Sequence, residues 1–390
     1  MPGDASGAMS DDRPLSITIV RTTADKRRFI EMTRQLYADD PVFVQPLTFE
    51  RLDHLDPGKN PALKQMEVAY WTVQRGPDVV GRISCQINRA HLDRYGDATG
   101  QFGFFEAVDD PEVIGLLMET AEIWARERGM KRLQGPFSLS INDESGLLVE
   151  GFDTPPYLMM PHGRRYYAPE LEALGYRKAK DLIAYDFDAD KPWPPAAQRL
   201  LGRMNGMKGL TIRPLDMNRY EEEIALICDI FNDAWSENWN FIPLDEAATM
   251  HLGKSIRPLV TDRCVAIAEL KGRPVAMAVT LPDLNDASRD LGGRLFPFGF
   301  IKLLWRLKVS GIRRWRVPLV GIRKEVQGTL KGAAALLGVV SAIRDYHVGR
   351  GARRGELSWL LEDNAPIRDV VETMGGQAYK TYRIFERDIA

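Results

Sequence analysis

The chain has 390 residues, too many for one ordinary core; at roughly 100–200 residues per domain, the length predicts two domains or three. It is 44% hydrophobic and 27% charged, which excludes a largely disordered, collagenous or disulfide-scaffold protein. Lys and Arg number 52 against 54 Asp and Glu, a formal net charge of -2, so no bulk basic charge drives nucleic-acid binding and none is expected.

Cys85, Cys228 and Cys264 are an odd set without CxxC spacing, as expected of buried thiols in a reducing compartment. The five histidines form no HxxxH pair, and no metal site is expected. Residues 1–15 carry Asp4, Asp11 and Asp12 and no apolar run, which predicts a disordered tail and not a secretory signal. No stretch approaches the roughly 20 apolar residues of a membrane helix. The expected compartment is the cytoplasm.

In chain order, the first half (16–190) predicts a strand at 17–22, a helix at 25–37, a hairpin at 68–88 and a strand at 101–108. A helix at 111–128, a strand at 132–140, a long polar loop, a short helix at 169–174 and a strand at 178–187 complete it. The proline-rich 191–209 is the expected linker. The second half (210–390) predicts a strand at 210–215, a helix at 220–235, a hairpin at 264–281 and, after an inserted segment, a strand at 317–323. It ends helix 330–346, strand 356–361, helix 366–374, strand 378–386. This pattern predicts an α/β (α+β) protein, with a mixed, mostly antiparallel sheet flanked by helices in each half.

Three echoes relate the halves. VAYWTVQRGPDVVGRISCQIN (68–88) has the grammar of CVAIAELKGRPVAMAVTLPDLN (264–285). LEALGYRKAKDLIAYDFD (171–188) matches VETMGGQAYKTYRIFERD (371–388), and the opening strands pair likewise. The shared offset of about 190–200 residues is that of a duplicated domain.

RVPLVGIRKEVQGTLKGAAALL (316–337) and GELSWLLEDNAPIRDVVETMGGQAYKTYRIFER (355–387) resemble the strand, acyl-CoA loop, helix and closing strands of the GNAT superfamily of N-acetyltransferases. The likeness is good over most of 210–390 and only in outline over the first half, so the whole chain resembles a tandem GNAT protein. A helix N-terminus with glycines beside it offers unpaired amides to a diphosphate. Gln327, Gly328, Thr329, Leu330, Lys331 and Gly332 stand where the family has its Gln/Arg-x-x-Gly-x-Gly/Ala loop; Gln327 and Gly332 match, and Leu330 replaces a glycine. At the corresponding point of the first half, Asp109, Asp110 and Glu112 would repel a diphosphate, so that half is expected to be a degenerate copy.

The resemblance implies acyl-CoA as co-substrate and an amine as acceptor. It puts the carbonyl-polarising amide at Gly321 or Ile322 and the general acid at Tyr382, with Tyr379 behind it. Glu356 and Glu362, at the ends of one strand, are candidate bases, and Asn364 is a helix cap or a cofactor contact. FNDAWSENWNFIPL (231–244) offers Trp235, Asn238, Trp239 and Phe241 to an acceptor; Asn142, Asp143, Glu144, Glu150 and His162 of the polar loop 135–167 would line the cleft between halves. The insert 292–316 sets Phe300, Ile301, Leu303, Leu304 and Leu307 among Arg294, Lys302, Arg306, Lys308, Arg313, Arg314 and Arg316, as in a basic amphipathic helix that contacts a membrane peripherally over 296–316 or roofs an apolar tunnel. With the tandem layout, this is similar to the bacterial ceramide-synthase type of GNAT acyltransferase, which joins a long fatty acyl chain to a sphingoid-base amine. Two other readings stay open: a non-catalytic acyl-CoA or lipid-binding protein, and a tRNA-dependent aminoacyltransferase of tandem GNAT form.

Overall fold

The two hairpins set the layers. The computed structural model describes residues 13–204 and 207–390, so most of the expected tail lies outside the described residues. The first half runs β1 (Leu15–Ile19), α1 (Thr23–Leu36), α2 (Thr48–His54), β2 (Met66–Arg75), β3 (Asp78–Asn88), α3 (Arg89–Tyr95), β4 (Thr99–Ala107) and α4 (Pro111–Arg126). It continues β5 (Arg132–Gly135), β6 (Leu147–Glu150), α5 (Tyr167–Ala173) and β7 (Arg177–Asp188). Next come α6 (Pro195–Met204), β8 (Leu210–Pro214), α7 (Tyr220–Trp235), α8 (Glu246–Ile256), β9 (Val265–Leu270), β10 (Arg273–Pro282), α9 (Leu284–Ser288) and α10 (Gly299–Trp305). The chain ends β11 (Arg314–Ile322), α11 (Leu330–Gly349), β12 (Arg354–Leu361), α12 (Ala365–Thr373) and β13 (Gln377–Asp388). The helix α6 lies within the expected linker.

All thirteen strands of the described residues join one sheet, in the order β1-β2-β3-β4-β5-β13-β7-β12-β11-β10-β9-β8 with β6 on β13. The first four strands of each half are antiparallel, and a parallel pair follows, β4 with β5 and β11 with β12. The closing strands are exchanged. β13 pairs with β5 of the first half, β7 pairs with β12 of the second, and the two pair with each other at the centre. The sheet therefore runs through both halves without a break.

Strand alternation sorts the side chains by face. On β9 and β10, Ala266, Ala268, Ala276 and Ala278 turn to α11, where small side chains let the helix lie close. Val265, Ile267, Met277 and Val279 turn the other way, to α7. In the first half Val73, Ile83 and Cys85 pack with α4, and Tyr70 and Phe104 pack with α1. So α4 and α11 cover one face, and α1 and α7 the other. No described helix is long and apolar enough to cross a membrane.

Candidate active site

The site begins where β11 and β12 part. They pair from Arg314 with Arg354 to Val317 with Leu357, and no further. Beyond that point β11 keeps only its β10 partner, and a fork opens. Arg323 N donates to Val275 O of β10 at 2.8 Å. By the alternation of an antiparallel ladder, the amide of Gly321 also faces β10, and those of Val320 and Ile322 face the fork. Of the two expected carbonyl-polarising positions, only Ile322 can serve from its own amide. Pro318, on the fork edge, has no N–H to leave unpaired.

On the α11 face, residues 323–329 form the loop leading to the helix. Thr329 caps the helix, its hydroxyl donating to Val326 O at 2.7 Å and accepting from Gly332 N at 3.0 Å, so it is spent on the helix and not on phosphate. The amides of Leu330 and Lys331, first in the helix, have no intrahelical acceptor. Leu330 is 61% exposed, so it does not plug the loop. Gly328 adopts φ +70° with open space about it. A Cβ on Gly332 would stand 2.1 Å from Val326 O, so only glycine lets the loop tuck under the helix there. Gln327 Nε2 donates to Ile322 O at 2.9 Å and ties the loop to the fork edge. These features fit the phosphates and pantetheine arm of a coenzyme A thioester.

The matching gap of the first half is closed. Phe137 N donates to Phe102 O at 2.7 Å, and a Cβ on Gly103 would lie 1.8 Å from Phe137 O. Asp110 caps α4 by accepting from Glu112 N at 2.9 Å.

On the α1 and α7 face the fork meets a cavity of about 860 Å³, bounded by both halves. Most of its wall is apolar, and it lies toward the upper end of the roughly 300–1,000 Å³ range of small-molecule sites. Arg316, Pro318, Leu319, Ser358 and Trp359 line its fork end. Trp235 closes over them, its indole N–H donating to Val320 O at 3.1 Å and its ring 5.9 Å from that of Trp359.

Behind the fork end is a buried polar network. Arg316 Nε donates to Ser358 Oγ at 2.8 Å, Nη1 to Leu158 O at 2.8 Å and Nη2 to Ser358 O at 3.1 Å. Ser358 Oγ donates to Glu356 Oε1 at 2.5 Å, Tyr379 donates to the other carboxylate oxygen, and Arg316 Nε is 3.8 Å from Glu356. Glu356, one of the two candidate bases, is fully buried. Tyr382 is fully buried too, and its hydroxyl has no partner. Burial and then the nearby Glu356 charge push its pKa well above the usual tyrosine value, against a smaller pull from Arg316.

The other expected residues divide. Asn142 and His162 line the cavity with Trp235, as do Asp143 and Glu144. Asn142 Nδ2 donates to Ile242 O at 3.2 Å. His162 lies 2.9 Å from Asp40; burial lowers its pKa, and Asp40 raises it in part. Glu150, Asn238, Trp239 and Phe241 are not on the wall. Phe241 is buried in the α7 core, and Trp239 packs against the apolar cluster that includes Tyr382. Glu362 holds Lys178 at 2.5 Å and accepts from Asp181 N at 3.1 Å, so its carboxylate fastens β12 to β7. Asn364 stands at the N-cap of α12, as expected, but its side chain makes no capping hydrogen bond.

Sequence reasoning missed Ser358 and the inward turn of Arg316, and with them His54, Arg51 and His251 on the cavity wall. A serine and a glutamate two apart on a strand share a face, which was a readable signal for Ser358. Of the insert's seven cations, Arg316 is buried, Arg314 lies 3.8 Å over the Tyr157 ring, and Lys302 and Arg306 pair with Asp290. The polar loop crosses to the second half: Leu158 N donates to Asp283 Oδ1 at 3.0 Å, and Asn285 Nδ2 to Pro156 O at 3.1 Å.

No protein-family model matches the chain. Protein YghO of Escherichia coli (strain K12) is 43% identical over 375 residues, 95% of each chain. A protein of Caulobacter vibrioides named bacterial ceramide synthase is 43% identical over 389 residues, 99% of this chain and 100% of that one. Among solved structures, a tandem GNAT protein from the clavulanic acid biosynthesis pathway superposes with a TM-score of 0.58 at 12% identity, covering 97% of this chain and 99% of its own. The chain therefore belongs to the family of YghO and the Caulobacter vibrioides protein named bacterial ceramide synthase, and it has the fold of a tandem GNAT protein.

Proposed function

We propose that the protein is an acyl-CoA-dependent N-acyltransferase that joins a long acyl chain to the amine of a hydrophobic acceptor such as a sphingoid base. The observation that carries this is the fork between β11 and β12, with a helix N-terminus on one face of the sheet and a large apolar cavity on the other. The name of the Caulobacter vibrioides relative points to the same substrate class. A CoA thioester donor places the reaction in the cytoplasm.

Acyl transfer to an amine forms a C–N bond, breaks a C–S bond, and moves one proton off the amine and one onto the thiolate. Leu330 and Lys331 amides hold the diphosphate, and the Ile322 amide polarises the carbonyl. Ser358 Oγ takes the amine proton as it passes its own to Glu356, 2.5 Å away. Arg316 stabilises the carboxylate and fixes Ser358 in place. Tyr382, whose hydroxyl is unpartnered and still protonated at neutral pH, supplies the proton for sulfur.

Calorimetry with coenzyme A and palmitoyl-CoA, followed by thiol release in the presence of a sphingoid base, tests this. Binding of both, with release only when the amine is present, is expected. No binding removes the proposal; binding without release reduces the protein to a passive acyl-CoA binder.

A further inference from the structure

The insert between α9 and β11 hides almost nothing. Neither α10 nor the turn that continues it over Arg306–Ser310 has one buried side chain. Phe296, Phe298, Ile301, Leu304, Trp305 and Val309 are each between 50% and 80% exposed. Single exposed apolar residues are ordinary, but a cluster within fourteen positions marks an interaction surface.

Its charge narrows the partner. No Asp or Glu occurs from 291 to 315, and Asp290 is already bound to Lys302 and Arg306. Arg294, Lys308 and Arg313 are exposed around the apolar side chains. Aromatic and aliphatic groups ringed by outward cations match the boundary between acyl chains and anionic head groups.

The root of the insert is also the cavity wall. Arg306 Nη1 donates to Ala287 O of α9 at 2.6 Å, and Thr48 N to Gly293 O at 3.0 Å. Leu284 and Ser288 of α9 line the cavity, with Pro46 and Leu47 beside Thr48.

We propose that residues 294–313 seat the protein on an anionic bilayer, Phe296, Phe298 and Trp305 entering the acyl layer and Arg294, Lys308 and Arg313 meeting lipid phosphates. The seat holds the cavity wall against the membrane, so that an apolar substrate passes between bilayer and cavity; this last clause rests on the function proposed above.

The test is co-sedimentation of the full chain with vesicles of phosphatidylcholine alone and of phosphatidylcholine mixed with phosphatidylglycerol. The wild-type protein should pellet with the mixed vesicles and far less with the neutral ones. Phe296→Ser/Phe298→Ser/Trp305→Ser should lose binding at least about tenfold at unchanged melting temperature, since all three side chains are exposed. Lys308→Glu/Arg313→Glu should lose the preference for anionic lipid, at roughly fivefold per charge removed. Wild-type protein left in the supernatant with both vesicles overturns the proposal, as does a triple variant that pellets like wild type. A wild-type dimer split by the triple variant, without vesicle binding, assigns the patch to a second copy of the chain and overturns it too. None of these readouts involves acyl transfer, so a failure here leaves the proposed reaction standing, and an inactive protein that still binds vesicles leaves the anchor standing.

Discussion

Arg316 is the side chain whose loss is most informative. It is 4% exposed, makes three hydrogen bonds to Ser358 and Leu158, and lies 3.8 Å from a carboxylate that is 0% exposed. Arg316→Ala leaves Glu356 with two hydroxyl donors but without the guanidinium beside it, and leaves two backbone carbonyls short of a donor. Breaking a buried pair from one side costs about 3–5 kcal/mol. That is a large share of the roughly 5–15 kcal/mol that holds an ordinary domain folded. In urea, with a slope near 3 kcal/mol/M, the midpoint should fall by roughly 1–1.7 M. Arg316→Met/Glu356→Gln removes both charges at similar volume and should recover about half of the loss or more. Acyl transfer should fail in both variants, because Ser358 loses the guanidinium that fixes it in place and, in the double variant, the charged acceptor behind it as well. If Arg316→Ala unfolds with the wild type, or the double variant is no better than the single one, the buried charge pair does not organise this site.

Tyr382→Phe removes a hydroxyl without a partner, so stability should hold or rise slightly while turnover drops about 100-fold. Unchanged turnover would make Tyr382 a core aromatic and nothing more. Gly332→Ala drives a Cβ to 2.1 Å from Val326 O; it should cost about 1–3 kcal/mol, and calorimetry should show coenzyme A affinity down about tenfold or more. Equal affinity would place the diphosphate elsewhere. Burial pushes His347 down to about 4, while an exposed imidazole titrates near 6.5. The folded state thus disfavours the charged ring, and stability present above about pH 6.5 drains away as pH falls toward 4, by about 3 kcal/mol in all. His347 donates from Nε2 to Thr280 Oγ1 at 2.8 Å, and His347→Gln should flatten the acid side of a pH–stability curve measured by thermal melting. An unchanged curve would mean that another group carries the acid loss.

Local grammar carried most of the fold. The helix expected at 220–235 is α7 residue for residue, and both hairpins formed where alternation and turn residues put them. The hairpin turn at Lys271 and Gly272 has φ +53° and +77°, the left-handed pair that a tight two-residue turn demands. What alternation does not encode is which strand lies beside which. The exchange of β7 and β13 depends on contacts some 200 residues apart, and nothing in either strand's own pattern announces it. The short helices α2, α3 and α8 escaped notice because seven to eleven residues leave little periodicity to read.

The candidate site was legible in part for the same reason. A glycine loop before a helix is a local motif, and it led to Gln327 and Gly332. Glu356 was found as a residue, but its burial was not foreseen, because that comes from β7, β11 and β13 closing around it. Whether Ile322 or Gly321 offers an amide is decided by ladder phase, which needs the β10 register. The insert read as an apolar helix face with a dense cationic rim; Asp290, just outside it, removes two of those charges, and the strand β11 turns two more inward.

The central claim is that the fork joins a diphosphate held on the α11 face to an acceptor held in the cavity. A crystal structure with coenzyme A bound tests it directly. The account predicts phosphate oxygens on the amides of Leu330 and Lys331, with the pantetheine thiol beside Ile322 at the fork. Coenzyme A found wholly inside the cavity, or on the first half beside α4, would contradict it.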